Sequence, residues 1–485
     1  MTDQVAIERL PTRIPGLDEV LGGGIPELSF NIIAGPPGCG KTTLSHQLMF
    51  AWASPQRPAL YFTVLGEPPL KMLRYQQLYD FFDSAAINRS IFFFNLADEA
   101  TSGDLDLVLQ RVADEVEAHK PAFIFVDSFR SLILATDTAE APHASLQQFV
   151  QRLGAMLTNW QATTLLIGEY ADVADANPVF TVADGLLWLR QSVQRNSMVR
   201  KLEVMKMRGQ ATRPGLHSYS IGKSGIEVFA YPDLSEAQAR ETSPDSPRLS
   251  LGVAGLDDML GGGLPRGYSL LVAGPSGSGK SILAASFLAE GARCGETGVI
   301  AAFEQHPRKS RNSRLVDLID SGKVGIVHSP SGNLSIDRIL VQLMREVHRL
   351  HASRVVIDSL SGLELALAPT FQEDFRESLL RLVTTLTSAG ITVLMTSELE
   401  DRYSDLRFSP YGAAFLTDVI IVQRYVELDS RLQRVMAVVK VRASAHSDAL
   451  HAFTIDDDGM RVGEIMHDRE GLLSGSPSRR HGSAD

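Results

Sequence analysis

Short apolar runs alternate along this chain with longer segments of helical periodicity. In the first half the runs are LSFNIIAG (28–35), ALYFTVL (59–65), AFIFVD (122–127), TTLLIGE (163–169) and KLEVMKMR (201–208). In the second half they are YSLLVAG (268–274), GVIAAFE (298–304), RVVIDS (354–359), ITVLMTSE (391–398) and RVMAVVKVR (434–442). Continuous apolar strands separated by helix-length segments predict an α/β fold with a mostly parallel sheet buried on both faces. Ligands of such sheets bind at the carboxyl ends of the strands, so the polar residues that follow these runs are the first candidates for chemistry.

The pattern is written twice. Residues 14–26 read IPGLDEVLGGGIP and residues 253–265 read VAGLDDMLGGGLP, a shift of 239 positions that also carries Gly35 to Gly274 and Lys41 to Lys280. A repeat this long is a duplicated domain, not a solenoid unit. The polar stretch SEAQARETSPDSPR (235–248) reads as the linker. The expected organisation is a first domain at 1–234, a linker at 235–247, a second domain at 248–470 and a short polar tail at 471–485.

Composition narrows the classes. The chain has 485 residues, 44% hydrophobic and 21% charged, which describes an ordinary globular protein. No apolar run is long enough to span a bilayer, and the first residues lack a secretory pattern. Two cysteines cannot build a disulfide framework, so a reducing, cytoplasmic setting is expected. A net charge of −11 argues against nucleic acid as a partner.

Two phosphate-binding loops carry the chemistry. Gly35-Pro36-Pro37-Gly38-Cys39-Gly40-Lys41-Thr42, followed by Thr43, fits the pattern G-x-x-x-x-G-K-[ST]. So does Gly274-Pro275-Ser276-Gly277-Ser278-Gly279-Lys280-Ser281, followed by Ile282. Glycines let backbone N–H groups cradle phosphate oxygens, and the lysine adds charge at the β- and γ-phosphates. Thr42 and Ser281 are candidate Mg²⁺ ligands, as are Asp127 and Asp358, each ending an apolar strand in Asp-Ser. ATP with Mg²⁺ is the expected ligand pair. A base to activate water is expected on a neighbouring strand end, and Glu67 and Glu304 are the candidates. Lys206-Met-Arg208 and Lys440-Val-Arg442 recur on corresponding late strands, with Lys and Arg on one face. Such pairs suit a cation that reaches a neighbouring subunit's γ-phosphate.

These residues together resemble the KaiC family of double-lobed, RecA-like P-loop NTPases. The resemblance rests on the GLDEVLGGG header, both loops, both Asp-Ser pairs, both K-x-R strands and DVIIVQRYVE (418–427). It implies two tandem RecA-like domains and a homohexamer with ATP at subunit interfaces. It further implies ATPase activity and serine/threonine autokinase chemistry in the second ring, with a signalling partner to receive the output. This chain departs from the family at informative places. Where the family has two adjacent glutamates after the second strand, the first lobe has Leu65 and Gly66, with Glu67 one place later. The second lobe has Glu304 followed by Gln305. The family's paired phosphoacceptors fall on Ala414 and Phe415, which have no hydroxyl, leaving Ser409, Tyr411 and Thr417 nearby. Two other readings stay open: a RecA- or DnaB-like motor on DNA, and a nucleotide-gated scaffold with negligible turnover.

Overall fold

The computed structural model describes residues 8–64, 69–101, 105–128, 152–154, 156, 160–170, 178–194, 197–230, 247–309, 312–328, 335–367, 375–399, 416–428, 430–456, 459–466, 469–470 and 478–479. Two compact units divide the chain between Tyr231 and Pro232. Each is built on a nine-stranded sheet.

In the first unit the spatial order is Gly225–Phe229, His217–Gly222, Ser197–Met207, Gly185–Gln194, Phe30–Gly35, Thr163–Glu169, Phe123–Asp127, Ala59–Thr63 and Ile91–Asn95. Strand Gly185–Gln194 and the five that follow it in this order run parallel, and the other three each pair antiparallel with their neighbour. The second unit repeats the arrangement with Ser269–Gly274 as its loop-bearing strand, between Thr392–Glu398 and Val419–Leu428.

Alternation along the strands divides the first core into two layers. Ile32, Leu60, Phe62, Ile124 and Leu166 face one side, with Val108, Val112 and Val116 of helix Leu105–His119. Ile33, Tyr61, Phe123, Phe125 and Leu165 face the other, with Leu44, Leu48 and Trp52 of helix Lys41–Trp52. A sheet covered on both faces is what continuous apolar strands require. Helices obey their own period. Helix Ile336–Leu350 buries Ile336, Ile339, Leu340, Leu343 and Val347 and is capped by Ser335, whose hydroxyl accepts from the Arg338 N–H.

The duplicated header has a local structural job. Asp18 accepts from the Thr12 N–H at 2.8 Å, and Asp257 accepts from the Leu251 N–H at 3.0 Å. Each aspartate therefore closes the turn that leads into the sheet.

Candidate active sites

The loop-bearing strands deliver their glycine loops to the carboxyl edge of each sheet, where the following helix begins. Gly40 and Gly279 are the helix N-caps, at φ 100° and 104°. A Cβ there would also lie 2.6 Å from Ile221 Cδ1 or 2.5 Å from Ile455 Cδ1, so both strain and space demand glycine. Neither helix has a side-chain cap, whereas Ser313–Asp320, Ile336–Leu350 and Leu360–Ala366 are capped by Asn312, Ser335 and Ser359. The leading N–H groups of the two loop helices are thus left for an anion, which is the fit a triphosphate requires. Lys41 and Lys280 lie across the loops they follow. Lys41 Nζ donates to the Pro36 carbonyl at 2.8 Å, and Lys280 Nζ donates to Gly274 and Pro275 at 2.8 and 2.7 Å. Burial lowers the Lys280 pKa, and the nearby carboxylates of Glu398, Asp358 and Glu304 oppose that shift.

Around the strand-end aspartates the lobes differ. In the first, Thr42 Oγ1 and the Tyr61 hydroxyl both donate to Asp127 Oδ2, each at 2.8 Å. Burial pushes the Asp127 carboxyl up, opposed by those two hydrogen bonds and by Lys41. Tyr61 is fully buried and stands beside His46, ring centroids 4.6 Å apart. In the second lobe Asp358 accepts instead from Thr396, on the opposite neighbouring strand. Both Asp-Ser peptides, Asp127-Ser128 and Asp358-Ser359, are cis. No cluster of three or more histidine, cysteine or acidic groups suited to a metal occurs among the described residues. A Mg²⁺ ion here would therefore take Thr42 with Asp127, or Ser281 with Asp358, and complete its shell from phosphate and water.

Of the proposed bases, Glu304 lies just beyond strand Gly298–Ala302, with Oε1 accepting from the Ser359 hydroxyl at 2.6 Å. Glu67 lies outside the described residues, as do Ala414, Phe415, Ser409 and Tyr411. Two further acids converge on the loops without having been singled out by sequence. Glu169 Oε1 is 3.9 Å from Lys41 Nζ, and Glu398 acts on Lys280. Each ends the strand beside its loop-bearing strand, opposite Gly35 or Gly274. The signal was available in the terminal glutamate shared by TTLLIGE and TVLMTSE.

The K-x-R pairs require a correction to the expectation that all site residues share the carboxyl edge. Their strands run antiparallel to the loop-bearing strands, so their last residues lie at the opposite edge. There Lys206 Nζ donates to the Thr181 carbonyl at 3.1 Å, and Lys440 Nζ to the Thr417 carbonyl at 2.6 Å. Arg208 pairs with Asp184 at 3.2 Å and Arg442 with Asp418 at 3.5 Å. A register shift precedes each lysine, leaving Met205 and Val439 as extra residues. Bulges of this kind re-aim the side chains that follow.

With this geometry in hand, comparison with known proteins is decisive about the family. A family profile described as "ATPase: KaiC" matches residues 10–233 and again 249–467. The chain belongs to the KaiC ATPase family. Among its relatives are proteins named circadian clock oscillator protein KaiC. That of Picosynechococcus is 25% identical, over 98% of this chain and 93% of the relative. That of Rippkaea orientalis is 26% identical, over 98% and 92%. Synechocystis KaiC 1 is 25% identical over the same shares. The tandem RecA-like fold and ATP binding thus accord with the family. No helix among the described residues is long and apolar enough to cross a membrane.

Proposed function

We propose that this KaiC-family protein is a homohexameric ATPase in which each lobe binds Mg²⁺–ATP and each site is completed by a neighbouring subunit. The observation that carries this reading is the position of the K-x-R pairs. A six-residue strand separates the two sheet edges, about 20 Å at the usual rise per residue. Lys206, Arg208, Lys440 and Arg442 are therefore too far from their own loops to touch a γ-phosphate, and a second copy supplies the partner.

Within a lobe, the loop N–H groups and Lys41 or Lys280 bind the phosphates. Thr42 with Asp127, or Ser281 with Asp358, would hold Mg²⁺, which would supply positive charge to the phosphates. Turnover belongs to the second lobe. Glu304 takes a proton from water as its oxygen bonds to the γ-phosphorus and the bond to the β,γ-bridging oxygen breaks, releasing ADP and phosphate. In the first lobe Leu65 occupies the register of Glu304, which suits a site that holds nucleotide and supports the ring.

Hydrolysis and ring conformation, read by a protein partner in a soluble compartment, are the output. Autophosphorylation is disfavoured. Of the three nearby hydroxyls, Thr417 is buried, 2% exposed.

Mixing tests the shared site. Neither Arg442→Ala nor Lys280→Ala alone should turn over ATP in the second ring. Hexamers mixed from the two should recover activity, because some interfaces then pair an intact loop with an intact arginine. Mixed rings as inactive as their parents, or a monomer at all nucleotide concentrations, would refute the shared site.

A further inference from the structure

We propose that Ser359 is a positioning residue for hydrolysis in the second lobe: its hydroxyl holds Glu304 by one carboxylate oxygen and leaves the other to receive the proton of the attacking water. The proposal rests on the reading of Glu304 as the base.

Glu304 is exposed and follows the end of its strand, so nothing in its own backbone fixes its side chain. Ser359 does so from the neighbouring strand, donating to Oε1 at 2.6 Å. The direction of that hydrogen bond is forced. Acting as the base, Glu304 is a carboxylate with acceptor oxygens only, so the Ser359 hydroxyl donates its proton there while its oxygen accepts from the Gly362 N–H at 3.0 Å as the N-cap of helix Leu360–Ala366.

Gly362 supplies the seat. A Cβ there would lie 2.7 Å from Glu304 Cγ and 2.9 Å from Oε1. The sequence of the first lobe fits the same logic. It keeps the serine as Ser128, but has Leu65 in the register of Glu304 and Ser131 in that of Gly362. Neither an acid in the register of Glu304 nor a glycine in that of Gly362 is present in that sequence.

In the step itself, the water oxygen bonds to the γ-phosphorus and the β,γ-bridging oxygen leaves with its electron pair as ADP. The water proton passes to the free oxygen of Glu304 and then to solvent. A donor on Oε1 leaves the other oxygen as the one free to take the proton. It also restricts a mobile side chain to one orientation.

The test measures phosphate release from MgATP by the full-length chain. Glu304→Gln should slow kcat by about 10²–10⁴-fold, and its residual rate sets the floor. Ser359→Ala should slow kcat by about 10–100-fold with KM changed less than about twofold, as expected for losing a charge-assisted hydrogen bond in the transition state. Ser359→Thr, which keeps the hydroxyl, should turn over at nearly the wild-type rate. Ser359→Asp retains the helix cap but repels Glu304, and should be as slow as Ser359→Ala. The Ser359→Ala/Glu304→Gln double variant should be no slower than Glu304→Gln.

Wild-type turnover in Ser359→Ala or Ser359→Asp, or losses that add in the double variant, would overturn the role of Ser359 while leaving Glu304 as base. Unchanged turnover in Glu304→Gln would instead remove the base assignment itself.

Discussion

The two lobes share a sheet order, a phosphate loop and an Asp-Ser strand end, yet they wire the aspartate differently. In the first lobe the clamp comes from Tyr61, on one neighbouring strand, in a layer of aromatic rings that includes Phe93, Phe125 and the buried His46. In the second, the Tyr61 register holds Ile300, the His46 register holds Ala285, and Thr396 donates from the other side. The second lobe alone combines this clamp with a described glutamate tied to the serine beside the aspartate. Duplication preserved what grips phosphate and let the hydroxyls around it diverge. The difference points to a division of labour, with one site for holding nucleotide and one for consuming it.

The largest test of that division removes each loop lysine in turn. Lys280→Ala should reduce ATP turnover to the residual rate of the first lobe, because its charge is spent on the transferring phosphoryl group. Lys41→Ala should leave more turnover but weaken ATP-dependent assembly further than Lys280→Ala does. Turnover by phosphate release and mass by light scattering decide between them. Equal effects of the two variants on both readouts would erase the distinction between holding and consuming sites.

How much of this was legible beforehand depended on whether the parts are contiguous in the chain. Gly35–Thr42 and Gly274–Ser281 are single unbroken motifs, and the Asp-Ser pairs follow unbroken apolar runs, so both could be read from sequence. Tyr61, Thr396, Glu169 and Glu398 come from strands that are distant in sequence and are brought together only by the permuted strand order. Tyr61 and Thr396 carry no signal by residue type alone, whereas Glu169 and Glu398 share a position at the end of their apolar runs that was open to reading. The K-x-R spacing was legible and its edge of the sheet was not, because that turns on one antiparallel return. Strand Ile91–Asn95 was missed although its sequence, IFFFN, is apolar at every position but the last; it is an edge strand whose middle residues are only half-buried.

A middle-sized effect should separate the lobes by acid. His46 lies fully buried in the first lobe, against Tyr61, and burial lowers its pKa to about 4 from the ordinary 6.5. Both folded and unfolded states are neutral above about pH 6.5, so the residue costs nothing there. As pH falls towards 4 the unfolded state takes up a proton that the folded state refuses, and stability drops by up to about 3 kcal/mol. All three tryptophans, Trp52, Trp160 and Trp188, belong to the first lobe, so their fluorescence reports its unfolding alone. A probe on the exposed Cys294 reports the second lobe. Denaturant midpoints for the first lobe should fall between pH 6.5 and 4, and His46→Ala, matching Ala285, should flatten that fall even if it lowers the neutral-pH midpoint. An unchanged pH slope in His46→Ala would assign the acid sensitivity to other groups.

The smallest expected effect concerns the clamp itself. Thr42 and Tyr61 both donate to one oxygen of Asp127. Were Mg²⁺ held by Thr42 and Asp127, the threonine hydroxyl would be drawn to the metal, leaving Tyr61 to hold the carboxylate in its direction. Tyr61→Phe keeps the ring packed against His46 and Phe125 while deleting that donor, so the fold should survive. Affinity of the first lobe for MgATP should fall by about 3–10-fold, in the range of about 1 kcal/mol expected for one hydrogen bond. The pH dependence has a definite sign. Burial already raises the Asp127 pKa and Tyr61 opposes that shift, so removing the hydroxyl raises it further. Mg²⁺ needs the ionised form, and binding in Tyr61→Phe should therefore be lost at a higher pH than in the wild type. Tryptophan fluorescence during MgATP titration reads this lobe directly, and the Cys294 probe should register no change, since Ile300 contributes no such hydroxyl to the second site. An unaltered Mg²⁺ dependence would make Tyr61 a packing residue and leave Thr42 as the sole orienting group for Asp127.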